Sequence, residues 1–260
     1  MLHRARKRFG QHFLHDPQFI ARIVDAIDPR PGDSIVEIGP GQAALTAALI
    51  ERAGRVSAIE IDRDLAASLR ERFAPSELQL IEGDALRIDW LQVASTPLRI
   101  VGNLPYNVST PLLFALLPIA DRIVDQHFML QKEVVDRMVA GPGSKTYGRL
   151  SVMLQFRYRL NKLFDVPRGA FKPPPQVTSS VVRMLPRAVA ELPDVAANAY
   201  ARVVAAAFGQ RRKTLRNSLG ELLDADMIVA AGVDPQARAE TMAVKEFIAL
   251  AQRIKSPINS

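Results

Sequence analysis

The chain is predicted to be an α/β protein: a parallel sheet covered by helices on both faces, followed by a small all-helical C-terminal domain. Three observations predict it. From Ser34 to Gly141, short β-rich runs alternate with helix-forming ones, and repeated βα units of this length build parallel sheets. A glycine loop joins the first of these strands to the first helix, "IVEIGPGQAALT" at residues 35–46. Past residue 188 the strand-like runs stop and the sequence turns alanine-rich and helical.

Taken in order, "SIVEIG" is a short β-rich run, and "QAALTAALIERA" is a good helix former that stops at Gly54. "RVSAIEID" reads as a strand and "RDLAASLRERF" as a helix; "LQLIEGD" and "LRIVGN" are two more strands. A short helix follows Pro111, then "RIVDQHFML" as a strand and "QKEVVDRMVA" as a helix ending at Gly141. From Leu150 to Met184 the β-like runs lengthen. "SVMLQFRYRL" and "TSSVVRML" flank the proline-rich "FKPPPQV" and are expected to close the sheet with an antiparallel edge. "AVAELPDVA" reads as a linker, and Gly209, Gly220 and Gly232 punctuate the helices beyond it. This gives a sheet domain over residues 1–187, with a basic arm at 1–15, and a helical domain over 188–260. No internal repeat is visible.

Composition narrows the function. The 260 residues are 48% hydrophobic, enough for one large core and a smaller second one. The longest apolar stretch near the middle, Leu112 to Ala120, holds nine residues and a proline, far short of the roughly 20 a membrane span needs. The N-terminus "MLHRARKRFGQHFL" is basic without an apolar h-region, so no secretory signal is expected. There is no cysteine, which excludes disulfides, thiolate metal sites and cysteine nucleophiles. The four histidines (His3, His12, His15, His127) lack metal-ligand spacing and read as surface or satisfied core residues. The net charge of +7 is clustered, at Arg4, Arg6, Lys7 and Arg8 and again at Arg211, Arg212, Lys213 and Arg216. Such clusters suit a polyanion such as nucleic acid, and equally a solvated tail and helix face.

Gly39, Gly41 and Ala44 match G-x-G-x-x-G/A after a strand and before a helix. Small residues let backbone approach a ligand there, and the helix start adds partial positive charge. A dinucleotide enzyme fits this loop, with Glu60 about 20 residues on to bind ribose hydroxyls. Two details favour another ligand. Glu37 stands where dinucleotide sites usually place an apolar residue, and a third strand also ends in an acid, Asp84. One carboxylate for a ribose and another for an adenine amine describe an adenosine held without a pyrophosphate, and S-adenosylmethionine is such a ligand. Singly, Glu60 also suits a helix start or a surface acid, and Asp84 a turn.

The fourth strand runs into Asn103-Leu104-Pro105-Tyr106. An adenine amine is a poor nucleophile because its lone pair is delocalised into the ring. Two acceptors on its N–H groups favour the tetrahedral geometry it needs for attack on a methyl group. The Asn103 side-chain oxygen supplies one. The Leu104 carbonyl supplies the other, since Pro105 disfavours helical geometry at the preceding residue. Tyr106 offers a ring for stacking, and Phe171, on the proline-stiffened "AFKPPPQV", a second one opposite. Without that chemistry, the tetrapeptide is a tight turn with a buried tyrosine, and Phe171 a hydrophobic plug.

These segments together resemble the ribosomal RNA adenine dimethyltransferases. The resemblance runs through nearly the whole chain: "RKRFGQHFL", "VEIGPG", "AIEID", "GDAL", "GNLPYNVSTPLLF", "HFMLQKEVVDRM", "YGRLSV", "FKPPPQVTSSVVRM" and "FGQRRKTLRNSLG". It implies a Rossmann-like class I S-adenosylmethionine-dependent methyltransferase sheet with the small helical domain behind it. It also implies an enzyme that places two methyl groups on N6 of each of two adjacent adenosines, in the 3′-terminal hairpin loop of 16S rRNA within the assembling 30S particle. Carried onto matching positions, cofactor contacts fall at His12, Leu14, Gly39, Gly41, Glu60, Asp84 and Asn103. The target adenine falls among Asn103, Leu104, Tyr106 and Phe171. Arg211, Arg212, Lys213 and Arg216 are expected to grip rRNA phosphates while Leu215 and Leu219 bury the other helix face. A cytoplasmic monomer with no membrane association is expected. The chain departs from the family in "QHFL", where His12 replaces an asparagine, and at Gln42, where leucine is common. Three rivals remain: a 23S rRNA adenine methyltransferase, which "QRRKTLRNSLG" argues against; a non-catalytic RNA- or DNA-binding factor of the same fold; and a nicotinamide dehydrogenase, which leaves "NLPY" unexplained.

Overall fold

Asp16 starts the first long helix. Its carboxylate accepts the Gln18 N–H at 2.9 Å, and Pro17 occupies the first helical position, where its missing N–H costs nothing. In the computed structural model, described over residues 11–93, 97–105, 108–210 and 212–254, a two-residue strand β1 (Phe13–Leu14) precedes this helix, α1 (Pro17–Ile27). The alternating region then follows the sequence closely: β2 (Ser34–Ile38), α2 (Ala44–Ala53), β3 (Val56–Glu60), α3 (Arg63–Arg72), β4 (Leu78–Glu82), the short α4 (Trp90–Val93) and β5 (Leu98–Asn103). Next come α5 (Ser109–Ala115), β6 (Ile123–Gln131) and α6 (Lys132–Val139). Helix α7 (Arg149–Arg157) runs directly into β7 (Tyr158–Val166), and β8 (Phe171–Lys172) and β9 (Ser179–Pro186) complete the strands. The remaining helices are α8 (Ala197–Gly209), α9 (Leu215–Ser218), α10 (Ala225–Ala230) and α11 (Val244–Ala251).

One element differs from expectation. "SVMLQFRYRL" is helix up to Arg157 and strand only from Tyr158. Ser151 to Leu154 and Phe156 are all buried, so the helix shows no polar face and its sequence carries no 3.6-residue period. Leu, Met, Gln and Arg are strong helix formers, and that preference prevails here.

The seven-stranded sheet has the order β4-β3-β2-β5-β6-β9-β7, with β1 and β8 paired separately as an antiparallel ribbon. Strands β2 to β6 pair in parallel and β9 runs antiparallel to β6. The chain builds outward from β2 to β4, then returns to start β5 on the other side of β2. The gap between β2 and β5 is therefore the point where strand order reverses, and ligands in such sheets bind there, beyond the strand carboxyl ends. Beneath it, Ile23, Val24 and Ile27 of α1 join Leu45 and Leu49 of α2 and Ile35 and Val101 of the strands in one buried apolar cluster.

At the opposite ends of the strands, Arg99 on β5 makes a two-pronged bond to Asp125 on β6 (3.0 and 2.7 Å) and a third to Asp33 (2.7 Å). It also donates to the Asp28 carbonyl just past α1, at 3.1 Å. Asp125 is 2% exposed, so this planar fork is what keeps a buried carboxylate paired.

By compactness the chain forms two units that do not follow sequence order. One runs up to Val135 and takes in Leu160–Pro186; the other comprises Asp136–Arg159 and everything from Arg187 onward. Within the second, the Tyr200 hydroxyl donates to the Val152 carbonyl at 3.1 Å and its ring stacks on Phe156. The Tyr147 hydroxyl donates to the Met242 carbonyl at 2.8 Å, and Phe208 stacks on Phe247. Helix α7 is thus packed against helices that follow it by 40 residues or more.

Candidate active site

Gly102 brings the two central strands together. A Cβ at this position would lie 2.6 Å from the Ile38 carbonyl oxygen of β2, closer than real Cβ contacts, so only glycine permits the β2–β5 approach at the strand ends. One residue on, Asn103 enters a cleft that Glu37, Gly39, Glu60, Asp84 and Leu104 also line. The cleft encloses about 1150 Å³ including its open mouth, ample for a nucleoside-sized ligand.

The glycine loop is built as a cradle. Gly39 and Gly41 have φ of 69° and 57°, left-handed values that glycine adopts without steric cost. The Gly39 N–H is held by the Ile59 carbonyl at 2.9 Å, and the Gly41 N–H by Glu60 Oε2 at 3.1 Å. Ala43 ends the loop with a positive φ, and no side chain caps α2, so the first amides of that helix are not taken by a capping group.

Two buried acids set the charge of the cleft. Glu60 is 4% exposed, and burial pushes its carboxyl above the usual range. The Asp62 and Gly41 N–H groups, the former at 2.9 Å from Oε1, pull it partly back. Each Glu60 oxygen therefore already carries a backbone bond that shapes the loop, and each keeps a second lone pair for a ribose hydroxyl. Glu37 is 2% exposed and is pushed up to about 7 by burial. The nearby Thr46 hydroxyl pulls it partly back without reaching hydrogen-bond geometry, and the charge of Glu60 raises it further. Its Oε2 meets no donor among the described residues. Asp84 is partly exposed and turns its own chain, accepting the Leu86 N–H at 3.0 Å. Ile61, apolar yet 49% exposed, lines the cleft beside Glu60. The acids, the cradle and the exposed apolar wall fit an adenosine carrying a cationic chain.

The Asn103 amide has a fixed orientation. Asn103 Nδ2 donates to the His12 carbonyl at 3.0 Å. A carbonyl can only accept, so the amide nitrogen must face residue 12 and Oδ1 must face the other way. Leu104 donates its N–H to the Met129 carbonyl at 3.1 Å and is 1% exposed, which ties the Asn103–Leu104 peptide to β6. The acceptor edge of this amide is thus set at the end of β5, where Leu104 and Pro105 also line the cleft.

The segment carrying His12 crosses this region as a strap that sequence reasoning resolved only in part. Gln11 Nε2 donates to Asp62 Oδ2 at 3.2 Å. The His12 imidazole Nδ1 donates to the Pro173 carbonyl at 2.9 Å. A Cβ at Gly41 would meet the Phe13 ring at 3.1 Å, and Leu14 pairs with Phe171 across the β1–β8 ribbon. His12 and Leu14 both line the cleft, with Gln11 and Phe13 beside them. Gln11 and Phe13 stand in the quoted "GQHFL"; their contacts are long-range, and no local periodicity marks them.

Phe171 is placed differently. It is 2% exposed and belongs to the buried apolar cluster with Leu14 and Met129. Its ring packs in the core instead of facing the cleft, because the β1–β8 pairing draws it inward. Tyr106 and Arg211 lie outside the described residues, as do residues 1–10 of the basic arm. In the helical unit, Arg212, Lys213 and Arg216 are exposed, while Leu215 and Leu219 are fully buried. No helix among the described residues is long and apolar enough to cross a membrane.

The chain is similar to known proteins over nearly its whole length. The family model described as ribosomal RNA adenine dimethylase matches residues 2–256. A curated protein of Aromatoleum aromaticum named ribosomal RNA small subunit methyltransferase A is 57% identical, over 98% of this chain and 97% of its own length. One of the same name from Acinetobacter baylyi is 54% identical over 97% and 93%. Among solved structures, a dimethyladenosine transferase from Plasmodium falciparum has the same fold, with a TM-score of 0.80 at 24% identity over 92% of this chain and 96% of that one. The 23S rRNA methyltransferase ErmE superposes with a TM-score of 0.72 at 27% identity, over 93% and 99%.

Proposed function

Because the chain belongs to the ribosomal RNA adenine dimethylase family, we propose that it is the enzyme that dimethylates N6 of two adjacent adenosines in the 3′-terminal hairpin loop of 16S rRNA. Its partner is the 30S particle or its precursor, in the cytoplasm, and it acts as a monomer. The observation that carries this reading is the Asn103 amide, gripped through its nitrogen by the His12 carbonyl so that an acceptor is presented where an adenine amine must be held.

Gly39, Gly41, Glu60 and Asp84 would hold the cofactor S-adenosylmethionine, in a cleft that His12 and Leu14 of the strap also line. When bound, it supplies a methyl group made electrophilic by its sulfonium. The chain's own residues do the rest. Asn103 Oδ1 accepts one N6–H and the Leu104 carbonyl the other, turning the nitrogen lone pair out of the base plane and toward the cofactor. No strong base is needed, because the amine becomes acidic as it is methylated and its proton passes to water. Most of the acceleration comes from orientation, for which roughly 7–11 kcal/mol is accessible. Taking the base out of its stack costs a few kcal/mol. Tyr106 stacking returns about 1–3 kcal/mol. Arg211, Arg212, Lys213 and Arg216 grip rRNA phosphates, giving affinity and position without reading bases.

The test incubates the protein with labelled cofactor and undermethylated 30S particles and analyses the nucleosides by mass spectrometry. Dimethyladenosine is expected, with Asn103→Ala reducing it by more than about 100-fold. Absence of methylated adenosine in the 16S rRNA, or full activity of the variant, overturns the reading; a parallel incubation with large subunits that labels 23S rRNA instead assigns the other subunit.

A further inference from the structure

His12 is tied in two directions, once through its backbone and once through its side chain. Its backbone carbonyl holds the Asn103 amide at 3.0 Å. Its imidazole Nδ1 holds the Pro173 carbonyl at 2.9 Å. We propose that the His12 side chain is a positioning residue for methyl transfer: by anchoring the strap to the proline loop, it fixes the carbonyl that decides which edge of the Asn103 amide faces the target base. The proposal rests on the function given above and departs from the cofactor-contact role expected of His12.

The physical argument begins with the amide. Asparagine presents a donor edge and an acceptor edge of almost identical shape. Only the acceptor edge binds an amine N–H; the donor edge would repel it. The choice between them is made by the His12 carbonyl, so its position matters to a fraction of an ångström. The strap is short. Beyond His12, the two-residue ribbon β1–β8 and the His15 N–H on the Ala170 carbonyl at 3.0 Å secure it from one side. Gln11 reaches Asp62 on the far side. At residue 12 itself the imidazole supplies the anchor. Because the Pro173 oxygen can only accept, Nδ1 must carry the proton.

The bond also predicts which replacements keep the anchor. His Nδ1 and Asn Nδ2 stand the same number of bonds from Cα. Either can place an N–H against the Pro173 carbonyl, whereas an aspartate puts an oxygen there and repels it. Asn and Asp at position 12 therefore differ by one atom in shape and by the whole of the interaction.

The experiment measures steady-state dimethyladenosine formation on undermethylated 30S particles with wild type, His12→Asn, His12→Asp and His12→Ala, alongside thermal unfolding of each. His12→Ala is expected to lower kcat about tenfold, the size of effect a small misplacement of a reacting group produces, with the KM for S-adenosylmethionine changed less than about threefold. His12→Asn restores kcat to within about threefold of wild type, and His12→Asp falls to the level of alanine or below. A raised cofactor KM at unchanged kcat overturns the proposal and returns His12 to a cofactor contact. Equal kcat for the Asn and Asp variants also overturns it, and that comparison stands if His12→Ala fails to fold. If wild type itself forms no dimethyladenosine, the functional reading fails; if wild type is active and the variants match it, this inference alone fails.

Discussion

His127 is the residue whose chemistry departs furthest from its sequence appearance. It is 3% exposed, and burial drives its pKa down to about 4. Asp125, with an oxygen 3.8 Å from Nδ1, pulls it back up, while Arg183 and Arg99 oppose the charge. The folded protein therefore holds this imidazole neutral, whereas the unfolded chain protonates it near the ordinary value of about 6.5. Between those values the unfolded state binds more protons, so stability is fully present above about pH 6.5 and is lost as pH falls toward 4. The loss amounts to roughly 3 kcal/mol. His127→Gln is expected to flatten the dependence of the urea midpoint on pH across this range. A slope equal to that of wild type would mean other groups set it. In sequence, His127 is one of four histidines without ligand spacing. The alternatives were a surface or a satisfied core position, and nothing local chooses between them. Burial is a property of strands β5 and β9 on either side, which only the fold assembles.

The elements were legible wherever local pattern and tertiary demand agree. The β2–α2–β3–α3–β4 series alternates in composition as it does in space, with Gly39, Gly54 and the acids falling at turns. The pattern failed at α7, whose buried residues leave no polar stripe, and it gave no warning of α1 or the β1–β8 ribbon, whose partners lie over 150 residues away. Gly102 shows the agreement at its tightest: read as a residue leading into a turn, it is the contact point between β2 and β5. Gly102→Ala forces a methyl group against the Ile38 carbonyl and must part the two strands at the mouth of the cleft. We expect a loss of about 1–3 kcal/mol in unfolding free energy, read by urea denaturation. Dimethyladenosine formation should drop more steeply than stability alone explains, because Asn103 moves with the strand. Wild-type stability in this variant would show that the sheet yields there at no cost.

For the whole molecule, the net charge of +7 matters through its placement. Arg212, Lys213 and Arg216 are solvent-exposed on a turn whose inner side is sealed by Leu215 and Leu219, so the cations can be removed without opening the core. Replacing all three with glutamine is expected to weaken binding to 30S particles and to reduce the slope of log affinity against log salt by up to roughly three. An unchanged slope across a salt series would separate these residues from the rRNA phosphates. The clusters were visible in the sequence; the assignment of Asp136–Arg159 to the helical unit was not, because compactness is not written in order along the chain. That interleaving bears on how such proteins can exchange parts. The chain passes from one unit to the other three times, after Val135, Arg159 and Pro186. A single crossover near residue 187 between two relatives would join one parent's α7 to the other's Tyr200, mismatching a stacked pair at the heart of the module. A working hybrid has to inherit residues 136–159 and the tail from the same ancestor, so recombination can trade this tail only together with a stretch of sequence that lies well upstream of it.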